Sequence, residues 1–300
     1  MAALVGPTAS GKSALALELA QRAPGVELVS VDAMQVYRGM DIGTAKPTPD
    51  ERAAVRHHLL DLADPADAFS VAEWRAAADR ALADIAARGG RALLVGGTGL
   101  YLRAVVDDLD LPGRWPDVRA ELEAEPDTAA LHARLAEADP VAAARMEPTN
   151  RRRVVRALEV ALGSGRPFSS FGPGLDAYPP VDVPQIGLRP PLDVLDRRIA
   201  ERVAAMAAAG LVDEVRRLLD APGGLGRTAG QALGYREVAA ALEAGTSVEE
   251  ALDETVRRTR AFARRQLRWF RRDPRIAWDD GDGEGGGRAR RWLGDWVSCG

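Results

Sequence analysis

The run Gly6-Pro7-Thr8-Ala9-Ser10-Gly11-Lys12-Ser13 fits the pattern G-x-x-x-x-G-K-[ST]. It constrains the fold more than any other feature of the chain, because such a loop works only as the turn between a buried strand and a helix. Its glycines let backbone N–H groups converge on phosphate oxygens, and the N-terminus of the following helix adds positive potential. Both flanks are present. Ala2 to Val5 is a short apolar run, and residues 13–21 (SALALELAQ) place Leu15 and Leu19 at helical spacing among alanines. In this loop Lys12 would neutralise phosphate charge, and the Ser13 hydroxyl would hold Mg2+.

The alternation of strand and helix continues. Residues 26–31 (VELVSV) read as a second strand ending at Asp32. Residues 71–88 read as an amphipathic helix, with Ser70 as N-cap and Gly89 as its stop. Residues 91–95 (RALLV) read as a buried strand running into Gly96-Gly97-Thr98-Gly99. The expected fold class is therefore α/β, a P-loop doubly wound parallel sheet. Ligands of such sheets bind beyond the carboxyl ends of the strands, where Gly6, Asp32 and Gly96 would meet. With 46% hydrophobic but only 5% aromatic residues, the chain suits helices packed on a sheet better than an all-β sandwich.

Past Pro112 the texture changes to Ala/Glu/Arg-rich helical pieces broken at Pro126 and Pro140. This predicts a core over 1–115, an inserted small helical, RNA-contacting subdomain over 116–180, and a core resumed over 181–300 with a helical C-terminal half. In that half, residues 184–188 would return to the sheet. Helices are expected over 192–209, 211–219 and 248–271, then a last strand at 275–278, and the glycine-rich 281–287 reads as a mobile low-complexity stretch.

Among the polar residues, Asp32 is the one acid at a strand end. A carboxylate there suits proton acceptance from an attacking hydroxyl or amine better than metal binding. Arginines cluster at Arg151, Arg152, Arg153 and Arg156, and along 257–272, where Trp269 and Phe270 lie among them. A net charge of −4 gives no general affinity for nucleic acid, but an arginine-rich helix carrying aromatics is a local RNA candidate. His57, His58 and His132 lack metal-ligand spacing and read as structural, and Trp74 and Trp115 read as packing residues. The single cysteine, Cys299, closes no internal disulfide and builds no Cys-rich zinc site, as expected of a free thiol in a reducing cytoplasm. The N-terminal residues carry no charged segment before an apolar run, and no stretch approaches the roughly 20 apolar residues of a membrane span. A cytoplasmic protein without a membrane partner is expected.

Taken together, these strings resemble the bacterial tRNA dimethylallyltransferase family, also called tRNA isopentenyltransferases. GPTASGKS at 6–13, DAMQVYRGMDIGTAKP at 32–47, LLVGGTGLY at 93–101, RRVVRALEV at 152–160, RIAERVAAMAAAGLVDEV at 198–215, QALGYRE at 231–237 and RRQLRWFRR at 264–272 occur in the family's order and spacing over nearly the whole chain. The resemblance implies transfer of a dimethylallyl group from dimethylallyl diphosphate to N6 of adenosine 37 in the anticodon stem-loop of tRNA, by a monomer. The motif is also the general nucleotide-binding (ATP) signature, but here Gly6, Pro7, Thr8, Ala9, Ser10, Gly11, Lys12 and Ser13 would hold the departing diphosphate. Asp32, Thr98 and Arg216 would form the catalytic set. The tRNA side would comprise Asp32, Ala33, Met34, Gln35, Thr98, Arg119, Arg152, Arg153, Val154, Val155, Arg156, Gln231, Gly234, Tyr235, Arg236, Arg265 and Trp269, with the target base flipped out of its stack. The chain departs from the family's usual residues at Ala33 (often serine), Arg56 (often proline) and Arg152 (often glutamine). Three other readings share the loop: an isopentenyltransferase acting on free adenine nucleotides, a small-molecule P-loop kinase, and a non-catalytic RNA-binding protein. The arginine-rich RRQLRWFRR string weighs against the first, and intact Lys12, Ser13 and Asp32 weigh against the last.

Overall fold

A computed structural model describes residues 1–172, 174–280 and 287–298 of the chain. The first strand, β1 (Ala2–Val5), runs through the glycine-bearing loop 6–11 into helix α1 (Lys12–Arg22), and β2 (Val26–Val31) follows. Helix α2 (Pro49–Ala54) and the two-residue strand β3 (His57–His58) lie where the sequence reading assigns no element. Neither carries an apolar period: α2 buries no residue, and β3 is too short to show alternation. The local signal for α2 is its capping box, in which Thr48 accepts from the Glu51 amide while the Glu51 side chain accepts from the Thr48 amide. Helix α3 (Val71–Ala87) has the expected Ser70 cap, reciprocated by Glu73, and is followed by β4 (Arg91–Gly96) and α4 (Gly99–Val106).

The chain divides into two units, residues 1–106 with 180–300, and residues 107–179. The second unit opens at residue 107, ahead of the texture change past Pro112 and of the expected boundary at 116. The reason is visible within it: Arg156 donates to the Pro112 and Gly113 carbonyls and the Trp115 amide donates to Glu159, stitching this apparent linker to the unit's own last helix. The unit comprises α5 (Pro116–Ala124), α6 (Thr128–Ala138), α7 (Pro140–Ala144) and α8 (Arg151–Ser164), around a core that includes Leu122, Leu131, Leu135, Val154, Val155 and Leu158.

The first unit resumes with β5 (Gln185–Leu188), α9 (Leu192–Ala208), α10 (Leu211–Asp220), α11 (Tyr235–Ala244), α12 (Val248–Phe270), β6 (Ile276–Asp279) and α13 (Gly287–Ser298). Helices α11 and α13 are additions to the sequence reading. The stripe Ala289, Trp292, Leu293 and Trp296, which packs against the sheet, marks α13 at helical spacing. Gly287 thus opens a helix, whereas 281–286 and Cys299 lie outside the described residues.

All six strands are parallel, in the order β3-β2-β4-β1-β5-β6. Alternate residues feed two cores. Ala3, Val5, Val29, Val31 and Leu94 face one, and Ala2, Leu4, Leu28, Leu93 and Ile186 face the other, so both faces of the sheet are covered. This is the expected doubly wound sheet. Its order reverses between β1 and β4, so the switch-point crevice opens where Val5 pairs with Gly96, directly before the phosphate loop and the glycine-rich turn. Among the described residues no helix is long and apolar enough to cross a membrane.

Candidate active site

The loop after β1 has the conformation its sequence requires. Ala9 and Gly11 take positive φ (61° and 93°), and the Ser10 amide bonds back to the Pro7 carbonyl at 3.3 Å. Successive backbone N–H groups are thereby turned into one concavity at the head of α1. Lys12 folds over the loop, its Nζ 3.1 Å from the Pro7 carbonyl oxygen. Although Lys12 keeps some exposure, desolvation and the nearby Arg202 guanidinium draw its ammonium down to about 8, against a smaller opposing pull from Asp32. The Ser10 hydroxyl is buried without a partner among the described residues, and Ser13 is exposed at the loop's end.

At the end of β2, Asp32 Oδ1 accepts the amides of Met34 (2.8 Å) and Gln35 (3.3 Å). This turn fixes the carboxylate and leaves Oδ2 without a protein donor among the described residues. At the end of β4, the Thr98 amide donates to the Val31 carbonyl at 3.3 Å, and the Thr98 carbonyl receives the first α4 amides. Thr98 is thus tied beside Asp32, its hydroxyl without a partner among the described residues. The close approach of α12 explains the glycines around it. A Cβ on Gly97 would lie 2.3 Å from Gln266 Nε2, and one on Gly99 would lie 2.0 Å from Trp269 Nε1.

The structure does not support Arg216 as the catalytic arginine. On α10 it lies off the buried stripe Leu211, Glu214, Val215 and Leu218, exposed and paired with Asp213 at 2.7 Å. The arginine that interacts electrostatically with Lys12 and Asp32 is Arg202 of α9. Burial lowers its pKa, and Asp32 partly offsets this. Its sequence signal is its place beside the apolar stripe Leu195, Ile199 and Val203.

Several residues expected on the tRNA side have partners within the protein. The Gln35 side chain accepts from Ser30 Oγ and donates to the Thr44 and Ala45 carbonyls. Tyr235 is fully buried. Its hydroxyl donates to Glu214 at 2.5 Å and accepts from the Gly43 amide at 3.1 Å, and burial beside that carboxylate pushes its pKa up. Glu214 also accepts the amides of Asp41, Ile42 and Gly43, pinning the segment after Asp32 to α10. Gly234 is buried, and its amide donates to Glu237, which also receives Arg236. Trp269 packs its indole on Gly99. In the second unit, Val154 and Val155 are core residues, while Arg119 and Arg156 converge on the buried Glu159 carboxylate at 3.2 and 2.9 Å. Arg152 and Arg153 stand exposed on α8 with no partner among the described residues. On α12, Glu254 takes Arg257 and Arg258, and Asp196 takes Arg260 and Arg264. Arg265 and Arg268 remain exposed and unpaired by carboxylates among the described residues, and Gln231 is likewise exposed. Each histidine has a partner within the protein: His57 Nδ1 lies 2.7 Å from the Val55 carbonyl, His58 Nε2 lies 2.6 Å from Glu27, and His132 Nε2 lies 3.2 Å from the Ala143 carbonyl.

Among the described residues no three His, Cys, Asp or Glu side chains gather as a metal site. The donor set suits a divalent ion that arrives with phosphate: one exposed hydroxyl, Ser13, beside an amide-lined loop. Mg2+ is commonly held through one or two protein oxygens plus substrate phosphates and water.

The sequence matches the model of the IPP transferase family over residues 35–273. It is 53% identical over 287 residues to the tRNA dimethylallyltransferase of Kineococcus radiotolerans, covering 93% of this chain and 90% of that protein. It is 53% identical over 283 residues to the tRNA dimethylallyltransferase of Streptomyces coelicolor, covering 93% and 89%. Among solved structures, the tRNA isopentenylpyrophosphate transferase of Bacillus halodurans superposes with a TM-score of 0.71 at 40% identity, covering 99% of this chain and 96% of that one. A eukaryotic dimethylallyltransferase acting on tRNA shares the fold, with a TM-score of 0.81 at 23% identity over 100% and 79% of the two chains.

Proposed function

The chain belongs to the IPP transferase family, and from that premise we propose that it transfers a dimethylallyl group from dimethylallyl diphosphate to N6 of adenosine 37 in tRNA. The observation that carries this reading is the grouping of two cations, Lys12 and Arg202, with one carboxylate, Asp32, at the mouth of an amide-lined loop. The cations and loop amides suit a diphosphate that gains charge as it leaves, and the free Asp32 oxygen suits an amine that must lose a proton. The N6 lone pair attacks the allylic carbon C1. The C1–O bond breaks with its electron pair passing to diphosphate, and the N6 proton passes to Asp32 Oδ2. Thr98, tied beside Asp32, presents its hydroxyl to the same reacting atoms. Arg202 takes the place that the sequence alone assigns to Arg216.

A bound Mg2+ would be held by Ser13 and by diphosphate oxygens, and would neutralise charge on the leaving group. Exposed arginines supply phosphate contacts on each unit, Arg152 and Arg153 on α8 and Arg265 and Arg268 on α12. The enzyme works as a monomer in the cytoplasm.

The test uses labelled dimethylallyl diphosphate with unmodified tRNA, the same tRNA carrying A37→G, or free AMP. Label is expected in the first alone. Transfer to AMP but not tRNA would replace this reading with the free-nucleotide one, and ATP consumption on a small acceptor without label transfer would favour a kinase. Asp32→Ala should lower kcat by about two to four orders of magnitude while tRNA still binds.

A further inference from the structure

Gln266 lies on the buried stripe of α12, far from the phosphate loop in sequence, and neither of its amide atoms is free. Its Oε1 accepts the Thr8 amide at 2.9 Å, and its Nε2 donates to the Gly97 carbonyl at 2.9 Å. One side chain thus clamps the loop after β1 to the turn after β4. The Thr8 amide is withdrawn from the set that could face a phosphate, while the later amides of the loop remain. The Gly97 carbonyl immediately precedes Thr98, and Gly97 lacks a Cβ where Gln266 arrives. A packing residue alone would not need this arrangement. An amide is the neutral side chain that accepts from one backbone strand and donates to another, and a leucine of similar length would leave a buried N–H and a buried C=O unpaired.

We propose that Gln266 is a positioning residue that sets the phosphate loop and Thr98 in register for diphosphate. The inference rests on the reading of that loop as a diphosphate site. It makes a prediction specific to hydrogen bonding. In Gln266→Glu, a neutral carboxyl could reproduce both bonds, its carbonyl oxygen accepting from Thr8 and its O–H donating to Gly97. Once ionised, the same carboxylate would set an oxygen against the Gly97 carbonyl, beside the anion to be bound.

The experiment measures binding of inorganic diphosphate to the full chain by calorimetry between pH 6 and 8.5, for wild type, Gln266→Glu and Gln266→Leu. Each variant is compared with wild type at the same pH, and tRNA binding serves as the control. At pH 8, Gln266→Glu should bind diphosphate at least roughly tenfold more weakly than wild type, and this deficit should shrink as pH falls. Gln266→Leu should show a deficit of about tenfold that does not depend on pH. Binding of tRNA should be unchanged in both. A pH-independent deficit in Gln266→Glu, or wild-type affinity in both variants, would overturn the clamp while leaving the diphosphate site standing. Failure of wild type itself to bind diphosphate would remove the site and the clamp together. If neither variant folds, amide exchange in the native protein decides: the Thr8 amide should be protected without ligand, and fast exchange there would sink the proposal.

Discussion

Replacing Arg202 and Arg216 separately by glutamine puts the reassigned catalytic arginine to a direct test. Arg202 is partly buried, and both Lys12 and Asp32 lie within its electrostatic reach. A cation so placed acts on the leaving group where water is scarce. Removing one preorganised electrostatic partner from such a site costs about 3 kcal/mol of transition-state stabilisation, roughly a hundredfold in kcat. The loss should fall on kcat more than on KM for the donor, because the diphosphate gains most of its charge as the C–O bond breaks. Arg216 pairs with Asp213 where both side chains are more than half exposed. Such a pair contributes at most about 1 kcal/mol, and to stability rather than to the reaction. Arg216→Gln should therefore retain near-normal turnover. A second signature separates the two variants. Arg202 helps to depress the Lys12 pKa, so its removal should let that pKa rise and carry the alkaline limb of the pH–rate profile to higher pH. The assay is transfer of labelled dimethylallyl to an anticodon stem-loop, with donor varied at each pH. Equal losses in the two variants, or near-normal kcat in Arg202→Gln, would refute the assignment.

Further expectations follow from the same site and from the insertion's last helix. With the Lys12 pKa drawn down to about 8, affinity for inorganic diphosphate should weaken as pH rises through that value. In the ligand-free protein the fold then binds fewer protons than the unfolded chain between about 8 and the ordinary 10.5, so Lys12 should make the free protein more stable as pH rises through that window. Calorimetry and thermal unfolding check both effects, and both should vanish in Lys12→Met. On α8, Arg152→Ala and Arg153→Ala should each weaken tRNA binding and flatten its salt dependence by about one unit of slope for each phosphate no longer neutralised. Val154→Ala should instead lower the stability of the insertion by about 1 to 3 kcal/mol, measured by denaturation, with the salt slope unchanged.

The order of strands, the phosphate loop and the acid at the end of β2 are legible in sequence because each has a local cause. Apolar runs end in glycine or aspartate, and the loop motif has one structural context. The residues that sequence reading misses share a different property. Arg202, Glu214 and Gln266 are polar residues on or beside the apolar stripe of a helix, and each reaches a loop far away in the chain. Glu214 gathers the amides of 41–43, and Gln266 joins Thr8 to Gly97. Their motif strings are visible, but which member of a string points inward depends on helix phase. That is why Arg216 stands out in the sequence while Arg202 occupies the site. Composition likewise does not show which arginines have partners. Eight arginines crowd residues 257–272, yet Glu254 and Asp196 take four of them. Val154, Val155 and Tyr235 sit beside exposed arginines in sequence but face the interior.

The central place of β1 also bears on how the chain is made. Val5 pairs with Gly96 on one side and with Gly187 on the other. Strand β1 is therefore synthesised first of the three but gains its second neighbour only after the whole insertion. Until β5 emerges, one edge of an apolar strand stays open, and closing it requires contacts of long sequence separation, the slow kind. The loop after β1 thus takes its final shape late, after the insertion has been translated, and chaperone dependence during synthesis should concentrate on that interval.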